Sequence, residues 1–155
     1  WRAKEAEDLV ASYRARLQSI QERTQKFPKR LKVYFEEWPD PMISGIRWVS
    51  ELIEIAGGED VFKHLRDAGL AKDRIIDPKD VIAQAPDVII GSWCGKKVKK
   101  NQIMEREGWA EIPAIRNELV YEINSTLILQ PGPAALTDGL DALISVIEDS
   151  LEKAS

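Results

Sequence analysis

The stretch from Leu31 to Gly58, LKVYFEEWPDPMISGIRWVSELIEIAGG, constrains this chain more than any other. Leu31 to Glu37 reads as a buried strand that breaks into a Trp38-Pro39-Asp40-Pro41 turn. Beyond the turn, Ile46, Val49, Leu52, Ile53 and Ala56 recur at helical spacing. Ser44 suits the N-cap of that helix, and Gly57-Gly58 can take the left-handed conformation that ends it. A strand whose carboxyl end opens through a turn into a helix is the unit from which α/β ligand clefts are made. The turn, with Trp38 expected to be exposed, is read as half of a binding site.

Upstream, Trp1 to Lys26 reads as one long helix with an apolar stripe of Ala3, Ala6, Leu9, Val10, Tyr13, Leu17 and Ile20. Two readings of it stay open on pattern alone: a helix that connects or braces two lobes, or a surface helix packed on its own domain. The sequence starts in mid-helix without Met and reads as a fragment. Phe27-Pro28-Lys29-Arg30 ends the helix, which divides the chain into a helix over 1–27 and a compact unit over 28–155.

Downstream, a short helix is expected around Val61 to Ala68 and a short edge strand at Arg74-Ile75-Ile76. Asp77 caps a brief helix with Pro78 at its first position, and Ala85-Pro86 stops it. Asp87 to Gly91 reads as a buried parallel strand, followed by a second small-residue turn, Gly91-Ser92-Trp93-Cys94-Gly95. Asn101 to Glu107 reads as a helix and Trp109 to Asn117 as irregular, with Ile112 to Ile115 packing inward. Leu119 to Ile123 is the last strand. It opens into Asn124 to Gly132, and Pro133 starts a long helix burying Leu136, Leu140, Leu143, Ile144, Ile147 and Leu151.

Strands alternating with helices predict an α/β lobe of three layers, a small and mostly parallel sheet flanked by helices. Right-handed crossovers then collect the strand-end turns along one edge, where open α/β sheets bind ligands. That rim would hold Trp38 and Pro39, Trp93 and Cys94, and the Leu129-Gln130-Pro131 loop.

Charge and composition narrow the chemistry. The 155 residues suffice for one domain with a real core, and the net charge of -4 argues against a nucleic-acid partner despite the basic run Lys96-Lys97-x-Lys99-Lys100. No apolar run approaches the ~18 residues a membrane span needs. A single cysteine, Cys94, excludes an internal disulfide and a thiolate metal cluster. With His64 as the one histidine, a zinc site would need three or more converging carboxylates, and the sequence offers no such grouping.

Catalytic readings fail on detail. Gly91 to Lys96 follows a strand, but three residues instead of four separate its glycines, and Lys97 stands where a phosphate loop needs Ser or Thr. No dinucleotide fingerprint follows any strand. Glu36 and Glu37 are adjacent in a strand and point to opposite faces, so they cannot act as a facing acid/base pair, and Glu36 reads as a solvated strand end. Cys94 has no identifiable base and reads as a passive small residue. Ser44, Ser92, Ser125 and Thr126 lack the surroundings of an activated nucleophile. The aromatic rings carry more. Trp48 and Trp109 suit packing, whereas Trp38 and Trp93, in turns beside Pro and Gly, suit stacking against a large flat ligand. The plain alternative is that both rings cap the ends of the sheet.

The chain resembles the C-terminal lobe of the helical-backbone substrate-binding proteins of ABC importers, the class serving vitamin B12, haem and iron-siderophores. The resemblance is carried by Val33 to Pro41, by Ile55 to Phe62 (IAGGEDVF) and by Ala85 to Ile90 (APDVII). Trp109 to Tyr121 (WAEIPAIRNELVY) and Gln130-Pro131-Gly132-Pro133 extend it over nearly all of Leu31 to Leu151. The two tryptophan turns look most like the cobalamin-binding branch.

The resemblance implies that the helix over 1–27 joins two lobes, the N-terminal one lying outside this sequence. It also implies that a ligand sits between the lobes against Trp38, Pro39, Trp93, Cys94, Gln130 and Pro131. Glu59, ordinary surface by its own sequence context, matches the position at which the family presents an acid to permease arginines, a contact that mainly steers docking. The implied role is non-enzymatic, with no resident cofactor. A corrinoid or another metal chelate is the cargo, an ABC permease in the membrane is the partner, and the location is the periplasm or the outer face of the cell, with or without a lipid anchor.

A ferric siderophore or haem is the alternative cargo, for which Arg47 and Lys96 are the nearby basic residues. A flavodoxin-like or receiver-like switch would require a phosphate loop or an acidic cluster, and neither is present. A module self-associating through the first helix is the remaining alternative.

Overall fold

The computed structural model describes residues 2–154, so Trp1 of the expected first helix lies outside the described residues. Helix α1 (Arg2–Thr24) leads into β1 (Leu31–Pro39), the central strand. The sheet runs β2 (Met42–Ser44), β1, β4 (Val88–Gly91), β5 (Val120–Glu122), with β3 (Gly58–Asp60) also pairing β1. Strands β3, β4 and β5 are all parallel to the neighbours they pair, and only β2 is antiparallel. The expected α/β lobe with a small, mostly parallel sheet is what forms.

Two apolar layers cover the sheet. On one face Val33, Phe35, Val88 and Ile90 meet Ile20 of α1, Leu52 and Ile53 of α2 (Arg47–Ile55), and Leu143 and Ile147 of α7 (Leu140–Ala154). On the other, Tyr34 and Ile89 meet Val81 of α3 (Pro78–Gln84), Ile103 of α4 (Lys100–Met104) and Ile115 of α5 (Pro113–Arg116). The alternation along β1 and β4 is the period-2 pattern of a strand buried on both faces.

Several boundaries differ from expectation, and local physics accounts for most. Trp38 to Pro41 does not end the strand. β1 continues to Pro39 and folds back as a hairpin onto β2, with a cis Asp40-Pro41 bond and a bulge between Glu36 and Trp38. Ser44 therefore belongs to β2 and caps nothing; the carboxylate of Glu37 accepts the Ile46 N–H at the start of α2 instead, 3.1 Å away. The bulge re-aims Glu37 for this.

The expected helix over 61–68 is reduced to a 3-10 turn at Lys63–Leu65. The expected edge strand at 74–76 is a single bridge between Ile75 and Ile43. The helix expected over 101–107 runs Lys100–Met104, and the segment read as irregular contains α5, started by Pro113. The brief helix capped by Asp77 forms as read, the Asp77 side chain accepting the Lys79 N–H.

The last helix is also not continuous from Pro133. A short helix α6 (Ser125–Ile128) and a π-helical stretch, Ala135–Gly139, precede α7. A Cβ on Gly139 would lie 2.6 Å from the Leu127 carbonyl oxygen, so glycine lets the two segments touch. Gly57 closes α2 with φ +95°, and its missing side chain leaves room for the Phe27 ring.

Candidate functional site

Because β1, β4 and β5 are parallel, their carboxyl ends open on the same edge of the sheet. The turns are stitched to one another by hydrogen bonds from backbone amides to backbone and side-chain acceptors. Ser92 N–H donates to the Glu36 carbonyl at 2.9 Å, and Cys94 N–H to that of Glu37 at 3.3 Å. Gly95 N–H donates to Ser125 Oγ at 3.2 Å, and Val98 N–H to the Glu122 carboxylate at 2.7 Å.

Trp38 sits half-buried at the hairpin tip, its Nε1–H fixed to the Asp40 carbonyl at 3.1 Å. Lys96, exposed in the turn after β4, places its Nζ 5.6 Å from the centroid of the Trp38 ring and 5.5 Å from that of Trp93. Trp38 and Trp93 thus come together as the sequence suggested, but in different states. Trp93 is 1% exposed, against the expectation of an open stacking plate. Its Nε1–H is satisfied by Glu36 Oε1 at 3.0 Å, which draws the ring under the rim. Trp38 is the accessible plate, and Trp93 is the floor beneath Lys96.

Glu36 is the largest departure from the sequence reading. Expected to be solvated, it is fully buried. Besides Trp93 it accepts the Tyr34 hydroxyl at 2.8 Å and both terminal nitrogens of Arg106, at 2.6 and 2.8 Å. Arg106 in turn lies over the Trp109 ring, 4.7 Å from its centroid. Burial, then the Glu36 charge, holds the Tyr34 hydroxyl well above its ordinary value. For Arg106 burial works against the charge, but the Glu36 carboxylate outweighs it and the guanidinium is held above its usual value. A carboxylate inside an otherwise apolar strand was the available signal, since a buried charge requires a partner. Which of the chain's basic residues supplies it is decided by tertiary structure.

Glu37, one residue on, points away to Arg74, whose terminal nitrogen lies 2.8 Å from it. The adjacent acids therefore serve opposite sides of the strand and do not form a catalytic pair.

The remaining sequence-predicted residues disperse around this centre. Pro39 is buried and, with Arg106, borders a groove of about 750 Å³ between the hairpin tip and α3. Cys94 is exposed and unpaired with another cysteine. Gln130 and Pro131 are exposed; Pro131 lines a separate apolar groove of about 550 Å³ with Tyr13, Leu17 and Trp48. Trp48 packs and donates its Nε1–H to the Ile128 carbonyl at 2.8 Å, and Trp109 is wholly buried, as their helical settings suggested.

Glu59 lies half-buried in β3, in register with Lys32 near the amino end of β1. Six residues of strand, roughly 20 Å, separate it from the level of Trp38. Among the described residues no group of His, Cys, Asp and Glu side chains could hold a metal ion, and no helix is long and apolar enough to cross a membrane.

Comparison with known proteins gives this geometry its context. The chain is similar to the uncharacterised ABC transporter substrate-binding lipoprotein YvrC of Bacillus subtilis, 26% identical over 93% of this chain and 45% of that protein. It is 32% identical to the vitamin B12-binding protein of Vibrio parahaemolyticus over 72% of this chain and 37% of that one. In fold it resembles a possible iron-binding periplasmic solute-binding protein from Staphylococcus epidermidis, with TM-score 0.77 and 21% identity over 94% of this chain and 56% of that structure. The chain thus spans less than half the length of these two curated relatives. The profile described as periplasmic binding protein matches residues 2–127, most of the chain. On that match, with the parallel sheet and the rim in place, the chain belongs to the periplasmic binding protein family, whose members act in the periplasm or on the outer face of the cell.

Proposed function

We propose that the chain is one lobe of the substrate-binding component of an ABC importer. It captures a corrinoid of the vitamin B12 type against its strand-end rim and passes it to a membrane permease, without catalysing a reaction. The observation that carries this is the Trp38 ring, held at the carboxyl edge of the sheet by its bond to Asp40 and accessible to a flat ligand. The relatives named as vitamin B12-binding proteins favour a corrinoid as that ligand. A single rim encloses a large chelate on one side only, so a second lobe supplies the opposite wall and α1 is the connection to it. Glu59, at the far end of β1 from Trp38, is free to dock the permease while the rim holds cargo.

The test is calorimetric titration of the full-length protein carrying this sequence with cyanocobalamin, haemin and ferrichrome, repeated on Trp38→Ala. Sub-micromolar binding of the corrinoid, weakened about tenfold or more by loss of a stacking ring, is the expected result. Tight binding of haemin or ferrichrome in its place keeps the transport role and changes the cargo. For haemin, whose carboxylates are anionic, that second reading has its own support in Lys96, a cation poised on the rim. Binding of none of the three removes the transport reading. In that event the exposed Leu9 and Val10 of α1 direct attention to self-association, read by sedimentation.

A further inference from the structure

We propose that the rim recognises an anionic group on its ligand and that Lys96 is the residue that binds it. This rests on the rim's being the binding site. Three observations lead to it.

First, the two strand-end acids nearest the tryptophans, Glu36 and Glu37, are already paired with arginines. Glu36 is held by Arg106, and Glu37 by Arg74 and the Ile46 N–H. Glu122, which borders the same turn, accepts the Val98 N–H. Asp40 lies on the Arg106 side, where its charge adds to that of Glu36 in raising the guanidinium.

Second, Lys96 forms no salt bridge among the described residues. Its ammonium instead faces two indole rings, an arrangement that positions the charge without neutralising it. Lys97 and Lys99 follow in the same turn and Lys100 opens α4, so a chain of net charge -4 gathers its densest positive run next to the edge where its strands end.

Third, the turn is held in place. Gly95 N–H is bound by Ser125, Lys96 N–H by the Trp93 carbonyl at 3.1 Å, and Val98 N–H by Glu122. The adjoining groove, about 640 Å³, is lined by Lys96, Lys97, Asn124, Ser125 and Thr126 and by one acid, Glu122, which the Val98 N–H holds; it offers amide and hydroxyl groups beside the ammonium. Because the ammonium lies over the Trp38 ring itself, a ligand that packs against that ring meets Lys96 directly. A phosphodiester or carboxylate there gains a charge-assisted hydrogen bond that a neutral chelate cannot form.

The test uses the full-length protein carrying this sequence and four probes: cyanocobalamin, dicyanocobinamide (the same corrin without the phosphodiester), haemin with its two carboxylates, and neutral ferrichrome. Each is titrated into the wild type, Lys96→Gln and Lys96→Arg at low and high NaCl. Lys96→Gln is expected to weaken the anionic probe that binds by about five- to tenfold, with the loss shrinking at high salt. Dicyanocobinamide and ferrichrome should stay within about twofold, and Lys96→Arg should keep most of the affinity because the charge is retained. Equal losses for charged and neutral probes, no loss for any, or tight binding of ferrichrome alone would overturn the inference while leaving the transport role standing. Haemin binding that depends on Lys96, without corrinoid binding, would uphold it and replace the corrinoid. If no probe binds, the transport role and the inference fall together.

Discussion

Both faces of the sheet are buried, and they are built on different principles. One face packs Val33, Phe35, Val88 and Ile90 against apolar side chains of α1, α2 and α7, with the small hydroxyls of Thr24, Ser50 and Ser150 also buried on those helices. The other packs Tyr34, Ile89, Trp93 and Trp109, and encloses the Glu36–Arg106 ion pair. The aliphatic face is continuous beneath the helices and encloses no ion pair among the described residues, the Thr24 and Ser150 hydroxyls and the Trp48 indole N–H being bound to backbone carbonyls. The aromatic face lies under short helices and turns, and its ion pair fixes where each ring stands. A hydrophobic layer tolerates any well-fitting apolar neighbour, whereas a buried carboxylate demands its donors in place. The face carrying Trp93 and Arg106 is therefore the one that shapes the rim.

Breaking the ion pair gives the largest expected effect. Glu36→Ala strips the buried carboxylate from Arg106, Tyr34 and Trp93 together, and should cost about 3–5 kcal/mol in urea unfolding. A matched apolar pair, Glu36→Leu with Arg106→Met, should recover most of that stability. It should still disturb the environment of Trp93, read by near-ultraviolet circular dichroism, because the indole N–H has lost its acceptor. A double variant as unstable as the single one would place the energy in packing and erase the contrast between the faces.

The aliphatic face should yield less. Ile147→Val, at a fully buried position in α7, should cost about 1 kcal/mol with an unchanged aromatic dichroism spectrum.

A third buried charge tests the rule that enclosed acids need cations. Asp60 in β3 is buried, makes no ion pair among the described residues, and accepts the Phe62 N–H at 3.0 Å. Burial pushes its carboxyl above the ordinary value of 3.8, so the folded state favours the protonated form. The stability this gives is present below the unfolded value and is lost as pH rises through the raised one. Asp60→Asn retains the acceptor for Phe62. Its melting temperature should therefore gain on the wild type as pH rises from about 3.5 to 7, by a smaller margin than either change above. A constant difference across that range would show that Asp60 ionises freely in the fold.

The sequence made the aliphatic half of the molecule readable. Helical spacing from Ile46 to Ala56 and from Leu140 to Leu151, with the apolar run at Val88 to Gly91, locates α2, α7 and β4 because those elements bury a continuous stripe. The Asp77-Pro78 start of α3 was legible for a local reason, a side chain that caps its own helix. The aromatic half was less legible. Helices of four and five residues such as α5 and α4 are marginal alone and exist because the sheet supports them. The strand β2 and the false N-cap at Ser44 turn on a hairpin whose partner, the bulged end of β1, lies outside any local window.

For the site, sequence sufficed to nominate the turn tryptophans and the edge where they meet, since parallel strands must open their carboxyl ends together. It could not say that Trp93 would be floor and Trp38 plate, nor that Glu36 would be buried. Those outcomes depend on Arg106, 70 residues beyond Glu36 along the chain. Periodicity and capping act within a few residues and are written in the sequence itself. The pairing of a buried charge with one distant cation is settled only when the packed chain leaves that charge no other partner.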